Sequence, residues 1–371
     1  MTTDQESASG HWDAVVIGAG PAGAVIARLL ASKGLRVALL DARSTSAPKP
    51  GEVLTPNAIP ALAVTGLLDV LENRQDLAIE LVGIRRIWER PRLTCESFLT
   101  QPGGRAWTID RPAFEETLKR EAASAGVRLL MEHRLGAVER RKGIWSVEVL
   151  GRGGSHSLRA AFLVDASGRN ATLARRVGAT RRRAYLLLAV HAQTKGAVEG
   201  WGESGSLLIE AAAYGWWYAV EGPRSVFTCT LLCDAPALLH ADRVRSALRG
   251  AFRETVLLPA GSDAVIREGR IIRTDASPTC LDRVVGDGWL AVGDAAASFD
   301  PVTSQGIANA IASTVSGANA IVCWLGGDRS AVEAHEEHTI ATWKQSLWLS
   351  RAVYGSAARF FPTPFWNDRA T

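Results

Sequence analysis

The stretch that decides the fold is Trp12-Asp13-Ala14-Val15-Val16-Ile17-Gly18-Ala19-Gly20-Pro21-Ala22-Gly23. Within it, the apolar run from Ala14 to Ile17 predicts a buried parallel strand, and a helical pattern follows from Pro21 through Ser32. A second apolar run, Val37 to Leu40, ends at Asp41. Strand, glycine-rich turn, helix, strand and acidic residue therefore follow one another in the order of the βαβ dinucleotide-binding fingerprint.

Each part of this stretch has a mechanical reason. Gly18 permits a tight turn, Gly20 lets the backbone approach a pyrophosphate, and Gly23 lets the helix pack close to its strand. Pro21 lies in the first helical turn, where its missing N–H costs little. The free N–H groups and the positive dipole end of the helix then face the phosphates, and Asp41 would accept hydrogen bonds from ribose hydroxyls. A glycine-rich turn alone is weak evidence, but the complete set predicts a nucleotide site.

The composition is that of an ordinary globular protein. The 371 residues are 47% hydrophobic and 22% charged, with a net charge of only +4, so neither a disordered chain nor a nucleic-acid partner is expected. The run Arg181-Arg182-Arg183 is short and is typical of a solvated surface segment. Five cysteines, an odd number at scattered positions, argue against a disulfide framework, and no cysteine–histidine set suggests a metal.

Nothing in the sequence indicates export or a membrane. Residues 1–10 are polar and contain no apolar signal-peptide core. The stretch Ala308 to Leu325 is apolar but rich in Ala, Ser and Gly, and it includes Asn309 and Asn319, which favours a buried helix over a membrane span. We therefore expect a cytoplasmic protein.

Two further stretches offer groups that suit a nucleotide. The predicted strand Trp289–Val292 ends in Gly293-Asp294 and leads to a long helix after Gly306. Such a turn presents a carboxylate and a cluster of N–H groups, which suits a cofactor that bears hydroxyls and becomes anionic, as a reduced flavin does. The predicted strand 161–164 ends similarly, at Asp165-Ala166-Ser167-Gly168. Each stretch alone could equally be an ordinary connection between a strand and a helix.

Taken together, three segments resemble the signatures of FAD-dependent monooxygenases, which are shared with flavin-dependent halogenases and geranylgeranyl-reductase-like proteins. The segments are Gly18-Ala19-Gly20-Pro21-Ala22-Gly23, Asp165-Ala166-Ser167-Gly168, and Gly293-Asp294-Ala295-Ala296 through Pro301 to Gln305-Gly306. Their order and separations match, and they cover nearly the whole chain. The resemblance implies FAD as the cofactor.

It also implies a role for individual residues. The glycines of the first segment would face the pyrophosphate, Asp41 the adenosine ribose, Asp294 the ribityl chain, and Gln305-Gly306-Ile307 the underside of the isoalloxazine. Arg43 and Arg111 match positions that contact FAD or its surrounding loops, although either could instead form a surface or core salt bridge. The full implied cofactor-binding set is Gly18, Gly20, Pro21, Ala22, Gly23, Asp41, Arg43, Arg111, Asp165, Gly168, Gly293, Asp294, Pro301, Gln305, Gly306 and Ile307.

Within that superfamily the chain is similar to the flavoproteins that mature tryptophylquinone cofactors, the group that includes lysine-oxidase and glycine-oxidase maturation partners. The similarity is carried by Gly51-Glu52-Val53-Leu54, Gly215-Trp216-Trp217-Tyr218, Asp300 to Gly306, and Phe365-Trp366. It implies oxygenation of a tryptophan side chain held in another polypeptide.

A halogenase is the main alternative, and the sequence departs from that pattern. Tryptophan halogenases carry Gly-Trp-x-Trp-x-Ile-Pro; here Trp216 is kept, but Tyr218 replaces the second Trp and Glu221 replaces the Pro. They also need a lysine between flavin and substrate to hold hypohalous acid. No lysine occurs between Lys49 and Lys119, where that residue is expected. The sequence therefore favours an oxygenase.

For an oxygenase the resemblance implies that the chemistry resides in the cofactor: reduced flavin takes up O₂ to form a C4a-hydroperoxide, which oxygenates an electron-rich ring. Pocket candidates are His191, as a base or as a structural residue, and Trp216 and Trp217. These two tryptophans alternate along a predicted strand, so one should face the pocket and the other the core. No second GxGxxG-type βαβ unit is present, so hydride must come from transiently bound NAD(P)H or from a separate flavin reductase.

The sequence thus predicts an α/β protein with a Rossmann-like FAD-binding domain, an inserted antiparallel β-sheet substrate domain and C-terminal helices. The expected boundaries are 1–83, 110–182 and 284–328 for the FAD-binding domain, 84–109 and 183–283 for the substrate domain, and 329–371 for the helical region. The predicted function is hydroxylation of an indole or tryptophanyl ring, in a small molecule or a peptide. Halogenation, alkene reduction and a flavin-bound scaffold of a maturation complex remain alternatives.

Overall fold

The computed structural model describes residues 11–45, 52–89, 91–202, 205–234 and 243–371. In chain order the strands are β1 (His11–Ile17), β2 (Val37–Asp41), β3 (Val53–Leu54), β4 (Ala78–Leu81), β5 (Gly83–Ile87), β6 (Thr94–Ser97), β7 (Ala106–Ile109), β8 (Arg128–Met131), β9 (Arg134–Arg141), β10 (Ile144–Gly151), β11 (Gly154–Asp165), β12 (Arg181–Arg183), β13 (Leu188–Lys195), β14 (Ser206–Ala212), β15 (Gly215–Gly222), β16 (Val226–Cys233), β17 (Arg270–Asp275), β18 (Thr279–Leu281), β19 (Val285–Gly286), β20 (Trp289–Ala291) and β21 (Ala297–Ser298). The α-helices are α1 (Pro21–Ala31), α2 (Ile59–Val64), α3 (Leu68–Glu72), α4 (Arg111–Ser124), α5 (Thr172–Arg176), α6 (Val244–Phe252), α7 (Ser262–Glu268), α8 (Gly306–Leu325), α9 (Ser330–Ala358) and α10 (Pro364–Ala370).

The main sheet has the strand order β19-β20-β11-β1-β2-β8. From β20 to β8 every neighbouring pair is parallel, and β9 and β10 extend the sheet by antiparallel pairing onto β11. Parallel strands end at one common edge, so the turns after Ile17, Asp41, Asp165 and Ala291 lie side by side there. The predicted Rossmann-like sheet is confirmed, and this edge is where such folds bind ligands.

The core of this half is built from the apolar runs that the sequence shows. Val15, Val16, Leu39 and Leu163 are fully buried between the helices that cover the sheet, as expected for strands of a parallel sheet. Helix α8 is long and apolar enough to cross a membrane by length and composition alone, but it packs against α1 and α9 here. A side chain at Gly317 would meet Val292, so small residues in α8 permit a close approach.

A second sheet has the order β17-β13-β16-β15-β14-β5-β6. Its pairs are antiparallel, as predicted for the inserted sheet, except that β14 and β5 run parallel. This exception arises because the β5–β6 hairpin belongs to an earlier part of the chain and joins the sheet from outside. Two small antiparallel sheets, β3-β7-β4 and β12-β18-β21, complete the strands of the described residues.

The C-terminal helices pack onto the second sheet. Helix α10 lies against α9, and the indole N–H of Trp366 donates to the carbonyl oxygen of Ala212 on β14 over 2.9 Å. Trp366 is fully buried. The C-terminal segment around Trp366 is therefore packed into the fold.

Two stretches whose sequence has a helical pattern are each divided at a glycine. The pattern from Ala58 to Leu71 divides into α2 and α3 at Gly66, whose φ of 66° is outside the helical region. The pattern from Ser304 to about Tyr354 divides into α8 and α9 at Gly327, with a φ of 94°. Gly66 and the pair Gly326-Gly327 are themselves turn signals, and they outweigh the apolar pattern on either side. The predicted helix at 241–251 begins at Val244, and Ala241 lies outside the described residues.

Candidate functional site

One large cavity lies between the carboxyl edge of the main sheet and the second sheet. Its volume is about 1020 Å³, at the upper end of the roughly 300–1,000 Å³ of typical ligand pockets. It is lined by most of the residues that the sequence singles out: Gly18, Gly20, Pro21, Ala22, Asp41, Arg43, Arg111, Gly168, His191, Trp216, Asp294, Pro301, Gly306 and Ile307. Segments from the start, middle and end of the chain thus meet around one space.

The glycine-rich turn has different neighbours at each glycine. A Cβ on Gly18 would collide with the carbonyl group of Ala166, and one on Gly23 with the carbonyl oxygen of Gly18. A Cβ on Gly20 would have no neighbour within 4 Å, because Gly20 faces the cavity. Gly18 and Gly23 therefore permit close backbone packing, and Gly20 leaves room for a ligand. Gly23 does not line the cavity.

Asp41 ties the turn to the second strand. Its carboxylate accepts hydrogen bonds from the backbone N–H of Ala19 over 2.7 Å and from that of Arg43 over 2.9 Å. The guanidinium of Arg43 lies 3.7 Å from the same carboxylate and remains more than half exposed. Both side chains line the cavity. Arg43 therefore forms an ion pair with Asp41 and is also placed where it could contact a cofactor, so the two alternatives given for Arg43 are compatible.

The structure does not bring Asp165 to the cavity. Its carboxylate is fully buried and accepts from the N–H and hydroxyl of Ser167, over 2.9 and 2.6 Å, and from the N–H of Ala174 over 2.8 Å. Burial is the largest influence on its pKa and raises it, against these hydrogen bonds. The side chain shapes the turn, while the turn residues Ser167 and Gly168 line the cavity.

The turn after β20 places Asp294 at the cavity, with its carboxylate 3.8 Å from the guanidinium of Arg169. Gly293 is not a lining residue. Its N–H donates to the hydroxyl of Ser313 over 2.9 Å, and a Cβ there would lie 2.8 Å from that of Ala22. Gly293 therefore permits packing between the two nucleotide-facing turns, and Asp294 supplies the polar group.

The loop before α8 forms another side of the cavity. Pro301, Ser304, Gly306 and Ile307 line it, whereas Gln305 does not. Ser304 has a left-handed backbone with a φ of 50°, which turns the chain into the helix. The first N–H groups of a helix have no partner within it, so the start of this 20-residue helix offers donors and positive potential.

Arg111 is buried between two glutamates. Its guanidinium donates to Glu52 and to Glu115, each over 2.6 Å. Burial lowers the pKa of Arg111, but the two carboxylates outweigh burial and raise it, so the group stays charged. Arg111, Glu52 and Glu115 all line the cavity, and this cluster carries one more negative than positive charge if both carboxylates are ionised.

These features fit FAD. The cavity is large enough, Gly20 leaves open space in front of a helix N-terminus, and carboxylates that suit sugar and ribityl hydroxyls lie at Asp41 and Asp294. A second helix N-terminus, that of α8, faces the same space and suits an anionic ring edge. Within the described part of the chain, no group of three His, Cys, Asp or Glu side chains could hold a metal ion.

At the second sheet the cavity has an aromatic wall, formed by Trp88, Trp216 and Tyr218. The ring centroids of Trp88 and Trp216 are 5.9 Å apart and nearly perpendicular. Trp217 points to the other face of the sheet and is fully buried in a separate core. The predicted alternation is therefore observed: Trp216 faces the cavity, and Trp217 does not.

His191 is part of the wall but is fully engaged. One ring nitrogen lies 2.8 Å from the hydroxyl of Thr230 and the other 3.0 Å from that of Thr274. Burial lowers the pKa of His191 to about 4, so the ring is neutral at neutral pH. This geometry favours the structural role over that of a base.

Several lining residues are not found by sequence reasoning. They include Trp88 and Arg86 on the β5–β6 hairpin, His133 and Arg134 after β8, Arg169 after the second turn, and Val353 on α9. Arg169 directly follows the recognised segment Asp165 to Gly168 and could have been found from it. The others come from elements whose approach to the cavity depends on the tertiary fold.

Comparison with known proteins identifies the family. A family profile described as an FAD binding domain matches residues 11–338. The chain belongs to this family. It is a flavoprotein of the FAD-dependent oxidoreductases, in the superfamily of monooxygenases and halogenases.

Among curated relatives, the protein named as FAD-dependent oxidoreductase LodB of Marinomonas mediterranea is 26% identical over 366 residues, covering 96% of both chains. Tryptophan 2-halogenase of Chondromyces crocatus is 25% identical over 348 residues, which cover 87% of this chain and 63% of that one. The chain thus spans less than two thirds of the halogenase.

Solved structures show the same fold. The flavin-dependent halogenase CmlS superposes with a TM-score of 0.83 at 21% identity, covering 97% of this chain and 68% of that one. The peptidyl tryptophan dihydroxylase QhpG, described as essential for tryptophylquinone cofactor biogenesis, gives a TM-score of 0.77 at 21% identity, covering 97% and 79%.

Proposed function

We propose that this protein hydroxylates the electron-rich ring of an indole or tryptophanyl substrate. The observation that carries the proposal is the continuity of the cavity, which runs from the glycine-rich turn to the wall of Trp88, Trp216 and Tyr218. A cofactor held at the first end and a flat aromatic ring held at the second would share one cavity. Aromatic walls favour such rings through stacked and edge-to-face contacts.

The residues proposed to hold FAD act mostly through the backbone. The N–H groups at the start of α1, beside Gly20, would face the pyrophosphate, and those at the start of α8, at Gly306 and Ile307, the flavin ring. Asp41 and Asp294 would accept hydrogen bonds from hydroxyl groups, and Arg111 would contribute positive charge. Bound and reduced, the cofactor would supply the activation of O₂ and the oxygen atom that reaches the ring.

The second sheet would orient the substrate and exclude water. Where His191 meets the cavity, the wall is uncharged at neutral pH, because the His191 ring is neutral and hydrogen-bonded to Thr230 and Thr274. The ring surfaces of Trp88, Trp216 and Tyr218 beside this neutral imidazole suit an indole and would limit the entry of water next to the bound ring during oxygen transfer. The electron donor is proposed to be transient NAD(P)H or a separate flavin reductase, and the compartment to be the cytoplasm.

The substrate could be free or part of a peptide. QhpG is described as a peptidyl tryptophan dihydroxylase, and another relative, from Pseudoalteromonas luteoviolacea, is named as a brominase of a pyrrole carried by a peptidyl-carrier protein. Both names concern rings presented by a polypeptide. We extend this mode of presentation to the present chain as part of the proposal.

Halogenation is the second candidate, favoured by the identity with tryptophan 2-halogenase and by the retained Gly215-Trp216 pair. Against it, none of the described residues that line the cavity is a lysine. Lys119 is buried elsewhere, with its ammonium 2.9 Å from the carboxylate of Glu116. The group expected to hold hypohalous acid therefore has no counterpart in the described wall.

A single-turnover experiment tests the proposal without knowledge of the electron donor. The FAD-loaded protein is reduced chemically under anaerobic conditions and mixed with ¹⁸O₂ and chloride or bromide, in the presence of indole, tryptophan or a tryptophan-containing peptide. A product that gains one labelled oxygen supports hydroxylation. A halogen gain would establish the second candidate, a gain of two hydrogens on an alkene substrate a reductase, and flavin reoxidation without any modified product would favour a scaffold.

A further inference from the structure

A buried hydrogen-bond network connects two sides of the cavity. The carboxylate of Asp300, which directly precedes the loop before α8, is 1% exposed. It accepts from the hydroxyl of Tyr185 over 2.6 Å, from that of Tyr354 over 3.0 Å, and from the backbone N–H of Val302 over 2.8 Å. Three donors thus converge on one buried carboxylate.

Tyr354 extends the network to the aromatic wall. Its hydroxyl oxygen accepts the indole N–H of Trp216 over 3.3 Å while its own O–H donates to Asp300. Tyr354 is fully buried, and burial is the largest cause that raises its pKa well above the ordinary value, so the phenol keeps its proton. The direction of both hydrogen bonds is therefore fixed, because a tryptophan N–H can only donate.

At its other end the network reaches the loop before α8, on the side of the cavity proposed for the cofactor. Asp300 caps the turn that begins at Pro301, and the hydroxyl of Thr303 returns to the carbonyl oxygen of Asp300 over 3.0 Å. Pro301, Val302 and Ser304 of this turn line the cavity. One carboxylate therefore contacts both the loop proposed to lie under the flavin and, through one phenol, the ring that faces it.

We infer that Asp300 is a positioning residue. It fixes the loop before α8 and the ring of Trp216 relative to each other, and Tyr354 connects the two. The inference rests on the proposed function where it assigns the wall around Trp216 to the aromatic substrate. A carboxylate is required because three donors meet there: an amide at the same position would present an N–H group to at least one of them. The network is buried, so the loss of any one hydrogen-bond partner leaves a polar group without a partner, at a cost in free energy.

The chain contains a matched control. Tyr185 donates to the same carboxylate, but no bond from Tyr185 to Trp216 is present in the described residues. Tyr185→Phe and Tyr354→Phe each remove one phenol–carboxylate hydrogen bond and preserve the ring. Only Tyr354→Phe also removes the acceptor of the Trp216 N–H. A general loss of stability would therefore affect both variants alike, whereas positioning of Trp216 would distinguish them.

The first measurement follows Trp216 in the FAD-loaded protein labelled with 5-fluorotryptophan. Trp216→Phe identifies its ¹⁹F line among the 12 tryptophans. We expect Tyr354→Phe and Asp300→Asn to displace or broaden that line and Tyr185→Phe to leave it in place. An unmoved line in Tyr354→Phe, or equal displacement in both tyrosine variants, would overturn the inference.

The second measurement titrates indole against the oxidised holoprotein and follows the flavin absorbance. Loss of one hydrogen bond of about 0.5–1.5 kcal/mol corresponds to a dissociation constant raised about two- to tenfold in Tyr354→Phe. In Tyr185→Phe it should change less than about twofold. In the Trp216→Phe background, Tyr354→Phe should add nothing, and an additive effect would contradict the connection. If neither indole nor a tryptophan-containing peptide binds the unmodified protein while the Trp216 line moves only in Tyr354→Phe, the positioning role stands and the proposed function falls.

Discussion

The two ends of the cavity recognise their ligands by different means. At the main sheet, backbone groups at Gly20 and at the N-termini of α1 and α8 face the space, together with the carboxylates of Asp41 and Asp294. At the second sheet the groups that face it are side chains, with Trp88 and Trp216 presenting ring surfaces. A backbone site depends on the path of the chain, so its weak points are positions where a Cβ does not fit. A side-chain site depends on which rings are present and on what holds them.

This difference predicts how substitutions divide. Changes at Gly18 and Gly23 should affect cofactor binding and folding together, because β1, α1 and β11 meet there, whereas a change at Gly20 should affect cofactor binding alone. Changes in the wall should separate stability from ligand binding, because neighbouring residues of one strand face different environments. The following experiments test that division, in order of decreasing effect.

The most severe change is Gly23→Ala. Its Cβ would overlap the carbonyl oxygen of Gly18, and backbone cannot give way as a flexible side chain can. We expect a loss of at least about 5 kcal/mol in the free energy of unfolding, and no protein purified with FAD.

The control for this variant is Gly250→Ala, in helix α6, where a Cβ would meet nothing within 4 Å. Alanine in a helix is favoured over glycine by roughly 0.5–1 kcal/mol, so this variant should be at least as stable as the parent. Urea unfolding and the FAD absorbance of the purified proteins measure both. A holoprotein of normal stability from Gly23→Ala would refute the packing argument.

Next comes Trp217→Ala, which removes a fully buried ring from the core behind the wall. Large-to-small changes of this kind lower the free energy of unfolding by about 3–5 kcal/mol. At a temperature where the variant is still folded, its affinity for FAD should be unchanged. Trp348→Ala is the control, because Trp348 is 66% exposed on α9 and its loss should change stability by less than about 0.5 kcal/mol. Weakened FAD binding in folded Trp217→Ala would show that the two ends are not separable.

His191 gives a pH-dependent effect. Its pKa is lowered to about 4 by burial, against the ordinary value of 6.5, so below pH 6.5 the unfolded chain takes up a proton that the folded protein excludes. The contribution is fully present above pH 6.5 and is lost as the pH falls towards 4, and by pH 5 the loss amounts to about 2 kcal/mol.

Comparison of the parent with His191→Asn isolates this term, because His335, whose pKa is also lowered by burial, is present in both proteins. The free energy of unfolding is measured from pH 7 to pH 4.5, and the parent should lose more of it on acidification than the variant. Parallel curves would show that His191 is not held neutral. They would also reopen the possibility that it acts as a base.

The smallest expected effect is that of Gly20→Ala. Its Cβ would meet no protein atom within 4 Å and would enter the space proposed for the pyrophosphate. The protein should fold normally and bind FAD about tenfold more weakly, which is about 1.4 kcal/mol. Equilibrium dialysis against FAD gives the affinity. An unchanged affinity would remove Gly20 from the cofactor site.

Much of the cofactor half is predictable from the sequence because its determinants are local. The run Ala14 to Ile17, the turn from Gly18 and the helix from Pro21 lie within one short segment, and the structure has them as β1 and α1. Asp110 is another local signal: an aspartate directly before Arg111-Pro112 is typical of a helix N-cap, and its carboxylate accepts a hydrogen bond from the N–H of Ala113 over 3.1 Å. The alternation of Trp216 and Trp217 likewise needs only the geometry of a strand.

What the sequence does not reveal depends on distant partners. Asp165 and Asp294 both follow a strand of the main sheet, yet Asp165 is turned inward by Ser167 and Ala174 while Asp294 faces the cavity. The hydrophobic periodicity of the sequence cannot predict which of the two carboxylates faces the cavity. Trp88 could not be placed beside Trp216 either, because residues 89–215, which include β8 to β11 of the main sheet, separate them in the chain. The connection from Asp300 through Tyr354 requires the end of α9 to pack under the wall.

The parallel pairing of β5 with β14 has a consequence for evolution. The hairpin that carries Arg86 and Trp88 to the cavity meets the second sheet along this one strand, Ser206 to Glu210 on β14, and its outer strand β6 has no further neighbour among the described strands. Such a hairpin can change its length and side chains while the cofactor turns stay as they are, except at Trp88, whose indole N–H donates to the carbonyl oxygen of Val353 on α9 over 3.0 Å. We expect this hairpin to be where descendants of one ancestral flavoprotein acquired different substrates, and grafting it between relatives to transfer preference for a ring without altering the affinity for FAD.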